Sequence, residues 1–281
     1  MVMNSPRRVS WLHDLPIEHR RIAERVEDPL LEAEWFTLAR DSFHFRAPEG
    51  ISFFYRMGGP VVIEGAGKEN GGIARLYLEG SVFGTIALLH GCVPLHASAV
   101  EMEGQAIAFT GPSGAGKSTT TAALAARGMP FFSDDALVLD DSGPMLLAMP
   151  GHKRLKLWED AIALTGARRG GKVIPELEKY FSRPAVQSEA GPLPFTNLFV
   201  LCESDDETSF EEVLGSEKLR ELTGSLYHPE IYGAISINET HAARLLRMAR
   251  AVRIWRFRRP RDSAEFSYST DKLVEFLDGL R

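Results

Sequence analysis

Ala106-Ile107-Ala108-Phe109-Thr110-Gly111-Pro112-Ser113-Gly114-Ala115-Gly116-Lys117-Ser118-Thr119 decides the reading of this chain. An apolar run ends in a glycine-rich loop, and an Ala- and Leu-rich stretch to Arg127 follows, with Gly128 placed to end a helix. Strand, glycine loop and helix in that order make a cradle for phosphate. Glycines let the backbone approach without side-chain bulk, N–H groups point at the oxygens, and the helix N-terminus adds its positive end. Lys117 is expected to reach the β- and γ-phosphates, and Ser118 to offer a hydroxyl to Mg²⁺. The loop Gly111, Pro112, Ser113, Gly114, Ala115, Gly116, Lys117, Ser118 and Thr119 is therefore assigned to ATP with Mg²⁺.

Outward from the loop, Asp134-Asp135 lies 17 residues after Lys117, an interval that holds one helix, one turn and one short strand. That spacing predicts that the acidic pair ends the strand next to the phosphate loop. Two carboxylates there have two jobs to share, holding the metal or its water shell and accepting a proton from an attacking hydroxyl. The bland alternative is a solvated acidic turn like Asp140-Asp141; apolar strands on both sides of Asp134-Asp135 argue against it. His96 stands 21 residues before Lys117, in the strand leading to the loop. By itself it reads first as a structural histidine, with catalysis as the alternative.

Further strands are predicted over 95–102, 105–110, 130–132, 136–139, 145–149, 154–158, 196–202 and 252–257. Helices are predicted over 117–127, 216–226, 239–251 and 270–280. The irregular interleaving predicts an α/β domain with a mixed sheet. Ahead of it, short alternating runs at 43–46, 51–55 and 60–63 predict a small N-terminal β-rich unit, followed by a helix from Ile73 to Leu89. Residues 1–40 look peripheral. The expected division is 1–90 and 91–281, with the first unit packed on the second and shaping the acceptor groove.

With a net charge of −6 and a pI near 5.8, nucleic acid is not an expected bulk partner. The two cysteines, Cys92 and Cys202, have no metal-site or disulfide spacing. The charged N-terminus lacks the apolar core of a signal peptide, and no run reads as a membrane span, so a cytoplasmic protein is expected. The two basic runs read differently. Lys153, Arg154 and Lys156 form either a protected strand edge or a phosphate or acidic-peptide contact. Arg256, Arg258, Arg259 and Arg261 read as a solvated strand face.

The block from His96 through Gly111–Ser118 to Asp134-Asp135 resembles the catalytic domain of the HPr kinase/phosphorylase family, whose fold resembles the core of phosphoenolpyruvate carboxykinases. The resemblance implies Asp134 as general base on a substrate serine, Asp135 on Mg²⁺, and His96 supporting the catalytic carboxylate, with Lys117 on the transferred phosphate. Pro112 stands where the bifunctional enzymes carry an acidic residue, Thr119 where they carry Glu, and their later Glu-Ile-Arg-Gly-Leu-Gly type signature is missing. Efficient phosphorolysis is therefore not expected. The segments Leu95-His96-Ala97-Ser98-Ala99-Val100, Pro150-Gly151 with Arg154-Leu155-Lys156-Leu157-Trp158, and Arg258-Arg259-Pro260-Arg261-Asp262 are more similar to HPr-kinase-like proteins of peptide-modifying gene clusters, including lasso-peptide kinases. The implied activity is an ATP-dependent kinase acting on serine of a peptide or protein. A small-molecule kinase and a nucleotide-gated binding module remain the alternatives.

Overall fold

The computed structural model describes residues 15–67, 70–152, 154–174, 177–235 and 240–280. Lys153, Glu239 and the start of the N-terminal segment fall outside them.

Six strands form the first sheet: β1 (Ile17–His19), β2 (Leu31–Ala33), β3 (Phe36–Leu38), β4 (Ser42–Arg46), β5 (Ser52–Arg56) and β6 (Val61–Glu64). Their order is β1-β6-β5-β4-β3-β2. Period-2 alternation sets its faces. Phe43 opposes Tyr55 and Phe45 opposes Phe53, while Val61 and Ile63 oppose Tyr55 and Phe53, so these side chains share one inward face. Residues 31–38, expected to be peripheral, supply two further strands, and Phe36 and Leu38 are buried. Short strands hidden among charges gave no alternation long enough to read.

The expected helix covers this face as α1 (Gly71–Tyr77), a π-helical segment (Leu78–Val82) and α2 (Phe83–Leu89) in unbroken succession. By length and composition the stretch Gly71–Leu89 could cross a membrane, contrary to the sequence expectation, but 56% of its most apolar window is buried in the protein. Val82, Ile86 and Ala87 join the first sheet, Val93, Leu95 and Leu137 in one hydrophobic cluster that extends across residue 90 to Ile254.

The second sheet begins with β7 (Val93–Met102) and β8 (Gln105–Thr110), joined at Glu103-Gly104. Both turn residues have positive φ, 50° and 73°, as a two-residue hairpin turn of type I′ requires. Next come α3 (Lys117–Ala126), β9 (Phe131–Ser133), β10 (Ala136–Asp140), β11 (Leu147–Ala148), β12 (Leu155–Trp158), α4 (Glu159–Thr165), β13 (Arg168–Lys172) and β14 (Lys179–Arg183). The chain continues with β15 (Leu193–Glu203), β16 (Ser209–Val213), α5 (Ser216–Gly224), α6 (Pro229–Ile235), α7 (Thr240–Ala251), β17 (Arg253–Arg259) and α8 (Phe266–Asp278). The sheet order is β11-β10-β7-β8-β15-β17-β16, with β9 also on β7. β8, β15 and β17 run parallel and the other pairings are antiparallel, so the sheet is mixed. β11 pairs with both β10 and β15, which folds this end of the sheet back on itself. A small third sheet, β12-β14-β13, packs Leu155 and Leu157 on Ala122 and Ala125 of α3.

Candidate functional site

The glycine loop leaves the carboxyl end of β8 and turns into α3. Gly116 has φ +89°, a left-handed conformation that favours glycine, and a Cβ there would also displace the Arg259 guanidinium 2.5 Å away. Lys117 folds back over the loop and donates from Nζ to the Gly111 carbonyl at 2.9 Å and to the Pro112 carbonyl at 3.1 Å. A lysine has three N–H donors, so one remains. Burial lowers the Lys117 pKa, and Lys179 adds to this; Asp134 and Asp135 oppose it.

Asp134-Asp135 fills a break between β9 and β10, which both pair with β7 on its side away from β8. The pair ends β9 and reaches the glycine loop through Ser118, as the spacing predicts, with β7 between β9 and the loop strand β8. A ten-residue strand is long enough to pair with β9 and β10 in turn, and the interruption carries the acidic pair. Asp135 has φ +70°, an unfavourable conformation for a non-glycine residue, costing about 1–3 kcal/mol.

The two carboxylates have different partners. Asp134 is buried and accepts hydrogen bonds from Ser118 Oγ at 2.8 Å and from Ser98 Oγ on Oδ1, and from the Lys156 N–H at 3.2 Å on Oδ2. Asp135 accepts from Lys156 Nζ at 2.9 Å. Burial alone would raise the Asp135 pKa. The Lys156 ammonium, with help from His96 and Lys179, outweighs burial and holds the carboxyl below its ordinary value.

His96 lies in the same cleft, its ring stacked on Tyr227 at 5.5 Å and 12°. Burial lowers its pKa, and the nearby Lys117 charge acts in the same direction, against Asp135 and Asp134. Tyr227 is enclosed and close to Asp135; burial, then the Asp135 charge, push its pKa up, against a smaller opposing effect of Ser81. The π-helical segment makes this possible. A Cβ on Gly80 would come within 2.7 Å of the Tyr227 hydroxyl and 3.2 Å of Asp135 Oδ2, so its missing side chain lets the segment approach both. The preceding residue, Glu79, is buried and pairs with Arg75 at 2.8 Å and Arg154 at 3.0 Å.

The glycine loop with Lys117 and Ser118, together with His96, Asp134, Asp135 and Lys156, lines a cleft of about 400 Å³. Lys156, for which the sequence left two readings, is 6% exposed and faces the cleft. The arginines of β17 divide by parity. Arg256 pairs with Glu217 and Glu221, and Arg258 with Glu211. Arg259 instead shares the opposite face with Trp255 and Phe257; it donates to the Ala115 carbonyl at 3.1 Å and lies 5.2 Å from the centre of the Phe266 ring. The solvated-face reading is thus corrected for Arg259, and period-2 alternation was the signal that separates it from its neighbours. Tyr227, Gly80, Lys179 and Trp158 carried no comparable signal.

The residues present fit Mg²⁺ with a phosphate chain. Ser118 Oγ and an Asp134 oxygen lie side by side at the start of α3, and hard oxygen donors of this kind suit a metal that takes its other ligands from water and phosphate. Among the described residues no group of three or more His, Cys, Asp or Glu side chains could hold a metal.

No family model and no curated protein matches the chain. Solved structures do: one is titled the structure of the Hpr(Ser) kinase/phosphatase from Coxiella burnetii. It is similar at a TM-score of 0.34 and 12% identity, over 66% of this chain and 93% of that one. A likeness at that level assigns neither family nor reaction.

Proposed function

We propose that the chain is an ATP-dependent phosphotransferase that moves the γ-phosphoryl group to the serine hydroxyl of a peptide or protein. The observation that carries this reading is the Ser118–Asp134 hydrogen bond at the end of the glycine loop, with a second, differently bonded carboxylate beside it. The loop N–H groups and the remaining Lys117 donor would hold the phosphates in a fixed, partly dry site, where such donors act most strongly. Ser118 and Asp134 would hold Mg²⁺, which when bound supplies charge neutralisation on the phosphates.

The family resemblance implied the reverse division of the carboxylates. We assign Asp134 to the metal side because Ser118, Ser98 and the Lys156 N–H already fix both of its oxygens. Asp135 is left for the acceptor. The serine oxygen bonds to phosphorus, the bond to the nucleoside diphosphate oxygen breaks, and the hydroxyl proton passes to Asp135. Phosphoryl transfer of this type is loose, so a carboxylate with a depressed pKa suffices. Lys156 bonds Asp135 and lines the cleft beside it, where its ammonium would balance charge on the transferred group. His96 and Tyr227 lie close enough to Asp135 to interact with its charge.

The test is transfer of labelled phosphate from ATP to serine-containing peptides, with alanine replacing serine as control. Label in the serine peptides alone is expected. ATP binding with no transfer to any serine acceptor, or hydrolysis alone, would return the chain to a nucleotide-dependent binding module.

A further inference from the structure

The third sheet has one face that continues away from the cleft. In antiparallel pairing, directly opposite residues project to the same side. Trp158 opposes Lys179, Lys156 opposes Phe181, and Arg168 opposes Arg183. The same register sets Arg154 opposite Arg183. One face therefore presents Trp158 and Lys179, then Lys156 and Phe181, then Arg154, Arg183 and Arg168. Ring contacts agree: Lys179 Nζ lies 5.6 Å from the Trp158 ring centre and the Arg154 guanidinium 5.7 Å from that of Phe181. Lys156 and Lys179 line the first cleft, while Arg154, Arg168 and Arg183 line a second, of about 880 Å³. Two residues along a strand span about 7 Å, so the second cleft adjoins the first.

Like charges directly opposite on a sheet repel. Arg168 and Arg183 are both exposed, and neither has an ion-pair partner among the described residues; Arg154 is held by Glu79. This cationic row lies on a chain of net charge −6. We propose that it binds acidic residues flanking the acceptor serine, so that the substrate is a peptide segment with Asp or Glu about two to five positions from its serine. The inference rests on the phosphotransferase reading, since Lys156 and Asp135 mark where the serine lies. An extended peptide advances about 7 Å for every two residues, the same step that separates Lys156 from Arg154. Side-chain carboxylates at that repeat would meet the guanidinia as charge-assisted pairs. A nucleic acid fits less well, because the acidic remainder of the chain repels a long polyanion.

The experiment measures fluorescence anisotropy of labelled peptides with a central serine, using the full chain with Mg²⁺ and a non-hydrolysable ATP analogue. The peptides carry Glu pairs on the N-terminal side, on the C-terminal side, or Gln throughout. One of the two Glu peptides should bind about tenfold tighter than the Gln peptide, with the preference fading at high salt. Arg168→Glu with Arg183→Glu should abolish the preference while leaving Gln-peptide and nucleotide affinities unchanged. Equal binding of Glu and Gln peptides, or a preference that survives the double reversal, overturns the proposal. So does equally effective competition by a short single-stranded RNA of matched charge, which would make the face a general polyanion site. Because the readout is binding, the two failures are distinguishable: a chain that selects acidic peptides without phosphorylating them would sink the phosphotransferase reading and leave only the acidic-peptide site.

Discussion

The cleft has two walls of different construction. One is the glycine loop with the start of α3, where Lys117 bonds back to Gly111 and Pro112 a few residues before it. The other is assembled from β7, the break at Asp134-Asp135, β12, the π-helical segment and the Tyr227 turn, through contacts such as Ser81 to His228 that join residues 147 apart in sequence. The first wall is set by local backbone conformation. The second exists only when both sheets and the helix between them have packed. Chemistry shared by all nucleotides can sit on a local motif, whereas recognition of a particular acceptor depends on the assembled wall.

If that division is right, damage to the local wall costs binding and chemistry together. Lys117→Ala should reduce transfer by about 10³-fold and weaken ATP binding in calorimetry, since it removes a positive charge from the phosphates themselves. Unchanged ATP affinity in that variant would dissolve the contrast at its base.

The carboxylates sit at the join and should separate. Asp134→Asn should raise the Mg²⁺ concentration needed for half-maximal transfer. Asp135→Asn should lower the maximal rate by about 10²-fold and leave the Mg²⁺ titration in place. The opposite pattern would restore the division that the family resemblance implied. Because its pKa is depressed, Asp135 stays ionised through the neutral range, so the wild-type rate should not fall until the medium is acidic enough to protonate it.

Damage confined to the assembled wall should spare nucleotide binding. Gly80→Ala places a methyl group 2.7 Å from the Tyr227 hydroxyl. Overpacking of this kind costs about 1–3 kcal/mol, and the displaced Asp135 should slow transfer by about tenfold. Urea unfolding and ATP calorimetry test the two parts. A variant as stable and as active as wild type would show that the segment does not press on the site.

The same contrast explains what the sequence made legible. The loop, α3 and the strands over 95–102 and 105–110 could be read because glycine placement and apolar periodicity act over a few residues. The Asp134-Asp135 pair stood out, but its place across β7 from the loop strand did not, because sheet order is not a local property. Arg259 could have been separated from Arg256 and Arg258 by alternation along β17. Nothing near Gly80 in sequence signals that a helix passes Tyr227 there, and β13 and β14 carry too many exposed or glycine positions to show a strand pattern. The basic face they form appears only through their register with β12.

The smallest expected effect concerns His96, which faces the cleft between both walls. Its ring is held neutral, mainly by burial. The folded-state pKa therefore lies below the ordinary 6.5, and in this range the unfolded chain binds the proton more readily than the folded one. Stability contributed by the neutral ring is fully present above pH 6.5 and declines as the pH falls toward the folded-state value. His44 and His241 are shifted in the same direction, mainly by burial, so the wild-type slope is shared. His96→Gln should keep the polar contact surface but remove one titrating group. The loss of stability between pH 7.5 and 5.5, measured by urea midpoints, should shrink in the variant by no more than about 1.4 kcal/mol per pH unit. An unchanged pH dependence would mean that the ring takes up its proton as easily in the cleft as in water, and that Tyr227 stacks on it without enclosing it.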